Sequence, residues 1–172
     1  MTTFNEGNIK MLMRDEISRE EFLDRELINS SDLGTELKKQ LLITKEIRDA
    51  YDADILIYLV FKFKVYDDEF ITLFNELLMC DWHEQHENLA MLLQRLKPKA
   101  SVPYLYETAL KIYDYLSFDI NYALAVKCIW ALGDIGSPEA REKLELLLSD
   151  NRETVRQNAK KQILRIIERS EE

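Results

Sequence analysis

Apolar residues recur three and four positions apart along most of the chain, which is the spacing that gives an α-helix one apolar face. One such run contains Leu33, Leu37, Leu41, Thr44, Ile47 and Tyr51. Residues 55–66 are ambiguous because Phe61 to Val65 alternate like a strand. A single strand would have no partner in this chain, so we expect a helix here with Asp54 as its N-cap. The pattern predicts an all-α protein.

A Leu-x-x-Asp motif recurs in the second half, where its aspartates are Asp81, Asp119 and Asp150. The spacings between them are 38 and 31 residues. Repeats of about 30 to 47 residues are typical of α-solenoids, in which helix pairs stack side by side. Such arrays present an extended surface to a binding partner.

Caps and turn residues predict the helix boundaries in this half. Asp67 is expected to cap a helix over 68–80, and 82–96 to form its partner helix. Gly133 and Gly136 are expected to end a later helix, because glycine accepts a left-handed backbone. The other predicted helices of this half are one that starts at Ser101 with Pro103 in its first turn, 120–133 behind Asp119, 138–148 beginning at Ser137-Pro138, and a last helix capped by Asp150.

Composition agrees with a single compact domain of 172 residues, with a helical cap over 1–32 and a repeat array over 33–172. Two cysteines do not make a disulfide framework. No signal-peptide pattern is visible, and the longest apolar run, 55–61, is too short to span a membrane. A cytoplasmic location is therefore expected.

The formal net charge is −9, and acids are concentrated in residues 65–94, which hold seven acids and no Lys or Arg. Such a region repels nucleic acid and attracts a basic protein, although a merely solvated surface has the same composition. The residues of this region that we expect to contact a partner are Asp67, Asp68, Glu69, Asp81, His83, Glu84 and Glu87.

The segment from Val155 to Ala159 reads Val-Arg-x-x-Ala and resembles the signature of HEAT-like repeats, the phycobilisome-lyase type included. The resemblance covers about residues 67–169 and implies a right-handed α-solenoid of about four helix pairs with an N-terminal helical cap. It also implies a structural pairing of Asp150 with Arg156. The other copies depart from this pairing, because Ala125 and Glu87 stand where the arginine belongs.

A second resemblance rests on the Asp-Trp-His-x-x-His-Glu segment at 81–87 and on the turn over 132–140. Small acidic HEAT-like bacterial proteins with these features are similar to immunity proteins, which neutralise a cognate toxin of a contact-dependent or polymorphic toxin system. In HEAT-like arrays the second helices line the concave face. The resemblance therefore adds Met91, Lys127, Trp130 and Asp134 to the expected partner surface.

Two other functions remain open at this stage. A HEAT-repeat scaffold or regulator would use the same face on another cytoplasmic protein. A metal-dependent enzyme would use His83 and His86 beside Asp81, Glu84 and Glu87, because imidazole and carboxylate groups bind zinc or iron. The chain has no glycine-rich phosphate loop or nucleophile motif, so we expect no enzyme activity, cofactor or metal.

Overall fold

The computed structural model describes residues 2–171, and the described chain is helical with no β-strand. This confirms the all-α prediction. The ambiguous segment is helical from residue 55 to Phe63, but the helix ends there instead of at residue 66 because Lys64 adopts a left-handed backbone. The ten helices are α1 (Glu6–Met13), α2 (Arg19–Glu26), α3 (Ser30–Ile47), α4 (Ala50–Phe63), α5 (Asp68–Leu78), α6 (His86–Leu96), α7 (Val102–Leu110), α8 (Ala123–Ile135), α9 (Pro138–Leu147) and α10 (Glu153–Glu171).

The chain divides into two compact units between Phe70 and Ile71, inside α5. The expected division into residues 1–32 and 33–172 stays a prediction. Across residues 2–171, no helix combines the length and the apolar composition that crossing a bilayer requires.

The first unit packs α3 against α4. Leu33, Leu37 and Leu41 are fully buried, as their four-residue spacing predicts. Phe22 of α2 is also fully buried, and its ring centroid lies 5.6 Å from that of Phe63. The N-cap of α4 is Asp49, whose side chain accepts the amide of residue 52, so the prediction that Asp54 caps this helix was wrong.

In the second unit α8 packs against α6, α7, α9 and α10. The predicted inward positions Leu124, Cys128 and Leu132 are buried. Neighbouring residues such as Ile129 and Ala131 are buried as well, because a helix with partners on several sides buries more than one stripe. Burial also raises the pKa of the Cys128 thiol, which keeps it a neutral thiol in the core.

Three predicted helix starts were wrong. Residues 82–85 form a loop, and α6 begins only at His86. Helix α8 begins at Ala123 instead of residue 120, although Asp119 does accept the Ala123 amide at 2.6 Å. Asp150 lies three residues before α10. Each aspartate satisfies nearby amides within a turn, which is the local alternative that Asx side chains offer to capping a helix directly.

Only one of the two glycines ends α8. Gly136 is its C-cap with φ of 62°, as predicted. Gly133 lies inside the helix, where a Cβ would come within 2.8 Å of the Cβ of Gln162. Because Gly133 has no side chain, it allows α8 and α10 to approach closely. Helix propensity alone does not indicate this role.

The predicted contact of Asp150 with Arg156 forms through the main chain. Arg156 donates to the carbonyl oxygen of Asp150 at 2.7 Å, whereas the Asp150 carboxylate pairs with Arg152. Arg152 also donates to the carbonyl of Ala109 at 2.8 Å, and its guanidinium lies 5.3 Å from the ring centre of Tyr122. Its hydrogen bonds to the carboxylate, and to a smaller extent its charge, hold the pKa of Asp150 below the usual range. Arg152 therefore joins the start of α10 to the end of α7.

Candidate functional site

The second unit presents a face built from α6, α8 and α10, which we call the three-helix face. The structure brings together here the predicted residues Glu87, Lys127, Trp130 and Asp134, with partners from α6 and α10. The predicted Met91 lies on α6 and is half-buried. Lys127 of α8 forms an ion pair with Glu87 of α6. Asp134 accepts from Gln94 at 2.7 Å and from Arg165 at 3.2 Å. Each of these carboxylates thus meets a cation from a neighbouring helix.

Trp130 lies at the middle of the three-helix face and is half-buried. Its indole nitrogen donates to Asn158 at 3.0 Å. The ammonium of Lys161 and the guanidinium of Arg165 lie 5.0 and 4.9 Å from its ring centre. The chain's own cations therefore occupy the ring that we expected to receive a partner.

The two predicted histidines lie in a loop after α5 and at the start of α6, and both are buried. Their rings stack with centroids 4.5 Å apart. His83 Nε2 lies 2.9 Å from the carbonyl oxygen of Leu77, and its Nδ1 accepts the Gln85 amide. A carbonyl only accepts and an amide N–H only donates, so the proton of His83 is on Nε2 and the ring is neutral.

His86 is held in the same tautomer. Its Nε2 lies 2.8 Å from the carbonyl oxygen of Cys80 and therefore donates, which leaves Nδ1 to accept from the Tyr115 hydroxyl at 2.8 Å. Burial, with smaller contributions from His83 and Lys111, lowers the pKa of His86 to about 4. All four histidine nitrogens are thus engaged, and metal ligation would first break these bonds. In residues 2–171 no group of three or more His, Cys, Asp or Glu is placed to hold a metal ion.

Tyr113 extends this aromatic cluster toward the segment that follows α7. Its ring centroid lies 3.8 Å from that of His86, and its hydroxyl donates to the carbonyl of Leu78 at 2.7 Å. Burial raises the pKa of the Tyr113 hydroxyl, so it remains a donor. The cluster therefore fixes the loop after α5 to residues 111–115 through neutral groups.

A cavity of about 370 Å³ opens beside this cluster, and we call it the acidic cavity. Its lining combines three exposed carboxylates, one ammonium, an isoleucine, a histidine and three other aromatic rings: Asp81, Glu84, Asp114, Lys111, Ile112, His83, Trp82, Tyr113 and Tyr115. Of the predicted site residues, Asp81, His83 and Glu84 line it. The others in this unit belong to the three-helix face.

The segment between α7 and α8 also exposes large apolar side chains. Phe118 is 93% exposed, Ile120 is 82% exposed, and Ile112 at the acidic cavity is 63% exposed. A fold would gain stability by burying large apolar side chains. Several of them left exposed close together in sequence are therefore typical of an interaction surface. Sequence analysis missed this segment, which we call the α7–α8 loop, residues 111–122.

Asp67, Asp68 and Glu69 belong to the first unit. Asp67 accepts the amides of Glu69 and Phe70, which confirms its predicted cap of α5. Lys38 pairs with both Asp67 and Glu69, at 3.0 and 2.5 Å. Its ammonium also lies 5.2 Å from the Phe70 ring centre. Two of these three acids therefore have structural contacts within their own unit.

The sequence carried a usable signal for the missed residues. Tyr113 and Tyr115 stand at alternate positions near the end of the helix predicted from Ser101, and Phe118 and Ile120 flank Asp119. Aromatic and apolar residues this dense in a loop either pack under it or stay exposed, and here Tyr113 and Tyr115 pack whereas Phe118 and Ile120 are exposed. No protein-family model, curated protein or solved structure matches the chain. The function proposed for it therefore rests on the residues described above.

Proposed function

We propose that this chain is a cytoplasmic protein-binding module, a HEAT-like α-solenoid of about four helix pairs with an N-terminal helical cap. Its role is that of an immunity protein, which masks the active surface of a cognate basic toxin domain such as a nuclease. One observation carries the proposal: three exposed carboxylates and the exposed Ile112 line one cavity of the second unit. Phe118 and Ile120, further along the α7–α8 loop, are exposed as well.

Each part of this surface has a distinct effect on binding. Carboxylates attract a basic partner over a distance and increase the association rate, in a manner that salt screens. A buried aromatic anchor slows dissociation, because aromatic side chains dominate the energy of many interfaces. Phe118 is the strongest anchor candidate, since nearly its whole ring is available for burial. A standard interface buries on the order of 1,600 Å² in total and would extend beyond the cavity.

The proposal revises the expected location of the partner surface. The acids of the three-helix face, Glu87 and Asp134, already pair with Lys127 and Arg165. A partner there would have to displace these cations before it met a carboxylate. At the acidic cavity a partner would meet the carboxylates of Asp81, Glu84 and Asp114 directly, because these side chains are exposed.

The test begins with co-purification from the native host and identification of the bound protein by mass spectrometry. The partner is then expressed alone and mixed with the purified chain. We expect a stoichiometric complex, an association rate that falls as salt rises, and loss of the partner's toxic activity in the complex. A complex with an acidic or non-toxic protein would instead favour a scaffold or regulator, and would contradict the immunity role.

A matched pair of variants locates the interface. Phe118→Ala is expected to increase the dissociation rate of the complex at least tenfold, because a central aromatic anchor contributes on the order of 2 kcal/mol. Leu27→Ala is the control, since Leu27 of the first unit is also 93% exposed. Equal dissociation rates for both variants would place the interface elsewhere.

A further inference from the structure

We propose that the acidic cavity is a subsite for one cationic side chain, the guanidinium of an arginine or the ammonium of a lysine on the partner. This inference rests on the proposed function and adds the chemical group that the surface recognises. Its volume of about 370 Å³ lies at the small end of the range for ligand pockets, which suits a single side chain.

Charge is the first argument. Asp81, Glu84 and Asp114 line the cavity, and Lys111 is the only cation among its lining residues. The lining therefore carries a formal excess of two negative charges, which favours a cation and disfavours phosphate or carboxylate ligands. Carboxylates also match the donor geometry of a guanidinium, which two oxygens can bind side by side.

The walls of the cavity are the second argument. The half-buried Trp82 and Tyr115 contribute aromatic rings to the lining, whereas the ring of Tyr113 is buried between His86 and Lys111. Aromatic faces attract organic cations through the ring quadrupole, and arginine also stacks flat on them. A hydrated metal ion gains little from such walls. An acidic patch that only increases solubility has no need of them.

The chain's own Lys111 is the third and independent argument. Its ammonium lies 4.4 Å from the ring centre of Tyr113 and 3.4 Å from the carbonyl oxygen of Met79. An organic cation of the chain thus already covers one aromatic ring of the lining and meets a carbonyl acceptor, so Tyr113 becomes available to an external cation only when Lys111 moves away. Lys111 indicates which chemistry the lining accepts, and its charge opposes a second cation, so its removal should strengthen binding of an external one.

The inference is tested without the partner. The chain has two tryptophans, and Trp82 lines the cavity, so Trp130→Phe leaves Trp82 as the only indole reporter. The probe is N-acetyl-arginine amide, and the neutral control is N-acetyl-citrulline amide at matched ionic strength. We expect Trp82 fluorescence to change saturably with a Kd on the order of millimolar for the arginine compound only. Amide shifts of residues 111–115 in the NMR spectrum of the unsubstituted chain provide a second readout.

Three variants fix the site. Asp81→Asn with Glu84→Gln is expected to weaken probe binding about fivefold or more, since each exposed ion pair contributes a few tenths to 1 kcal/mol. Glu139→Gln with Glu142→Gln removes the same charge from exposed positions of α9 and should leave binding unchanged. Lys111→Met should tighten binding about two- to threefold, because it removes one repulsive charge.

Several outcomes would overturn the subsite. These are equal binding of the citrulline compound, equal weakening by the two double variants, and saturation by CaCl2 at lower concentration than the arginine probe. A partner complex unaffected by Asp81→Asn with Glu84→Gln would also overturn the subsite and leave the proposed function standing. Probe binding as expected, with a partner that is acidic or non-toxic, would overturn the proposed function and leave a cation site.

Discussion

The three-helix face and the acidic cavity lie in the same unit and carry similar numbers of acids, yet they use them differently. Glu87 and Asp134 on the face each meet a cation from a neighbouring helix. At the cavity, Asp81, Glu84 and Asp114 are exposed, with Lys111 as the one cation of the lining. The count of acids in a stretch of sequence therefore does not predict which carboxylates are already paired within the fold. The position of the bases on adjacent helices decides it.

The difference extends to the large aromatic residues. Trp130 on the three-helix face is half-buried beneath Lys161 and Arg165, and it hydrogen-bonds Asn158. Phe118 of the α7–α8 loop is 93% exposed. The first ring contributes to the packing of α8 on α10, whereas burial of the second would stabilise only a complex.

Removing the ring of Trp130 or of Phe118 is expected to separate their two roles most clearly. Trp130→Ala is expected to lower the free energy of unfolding by about 3 kcal/mol, because it leaves a cavity and removes a hydrogen bond and two cation–π contacts. Phe118→Ala is expected to change it by less than about 0.5 kcal/mol, as for other exposed positions. Urea unfolding followed by circular dichroism measures both.

Similar losses of unfolding free energy in the two variants would contradict the distinction between a ring that packs within the fold and an exposed ring of the α7–α8 loop. So would a Trp130→Ala protein as stable as the unsubstituted chain. The Leu27→Ala variant controls for loss of an exposed apolar side chain in the other unit.

A second prediction concerns the neutral ring beside the acidic cavity. The ordinary pKa of histidine is about 6.5, and burial lowers that of His86 to about 4. Below pH 6.5 His86 is protonated in the unfolded chain but stays neutral in the native chain. Stability should therefore fall as pH drops from 6.5 and level off near pH 4. We expect a loss of about 2 kcal/mol from this residue, less than the full shift gives, because the loop relaxes around a charged ring.

His86→Gln isolates this contribution, since carboxylates such as Asp150, whose pKa is also lowered, titrate in both proteins. The variant is expected to be less stable at pH 7 and to lose less stability between pH 6.5 and 4. Identical slopes in thermal unfolding across that range would show that His86 does not resist protonation.

The smallest effect is expected from the ion pair on the three-helix face. Glu87→Lys and Lys127→Glu alone should each destabilise the chain by about 0.5 to 1 kcal/mol, since each side chain remains about one-third exposed. The double exchange should restore most of this loss, as a double-mutant cycle would show. Additive losses would mean that the two residues do not interact, and that Glu87 is available to a partner.

The helices were largely predictable from sequence, because apolar spacing and caps act locally. Leu33, Leu37 and Leu41 are buried as expected, and Ser137-Pro138 begins α9. The start of α6 was not predictable in this way. Residues 82–85 form a loop in which His83 Nε2 donates to the carbonyl of Leu77 and His83 Nδ1 accepts the Gln85 amide, and the helical pattern does not contain these contacts.

The site was predictable only in part, for a similar reason. Asp81 and Glu84 were identified from charge, but their cavity depends on residues 111–115 being fixed to the end of α5 by Tyr113 and Lys111. Those contacts join positions about 30 residues apart. Likewise, the sequence shows Glu87 and Asp134 as acids and does not show the bases that neutralise them.

Because His83 and His86 are uncharged, they need no carboxylate partner at the acidic cavity. The loop between α5 and α6 is held by carbonyl, amide and hydroxyl contacts, so its anchorage does not depend on Asp81, Glu84 or Asp114. Substitutions at those carboxylates therefore meet little resistance from the scaffold. The charge of this surface could therefore change through substitutions at a few outer positions while the interior stays the same.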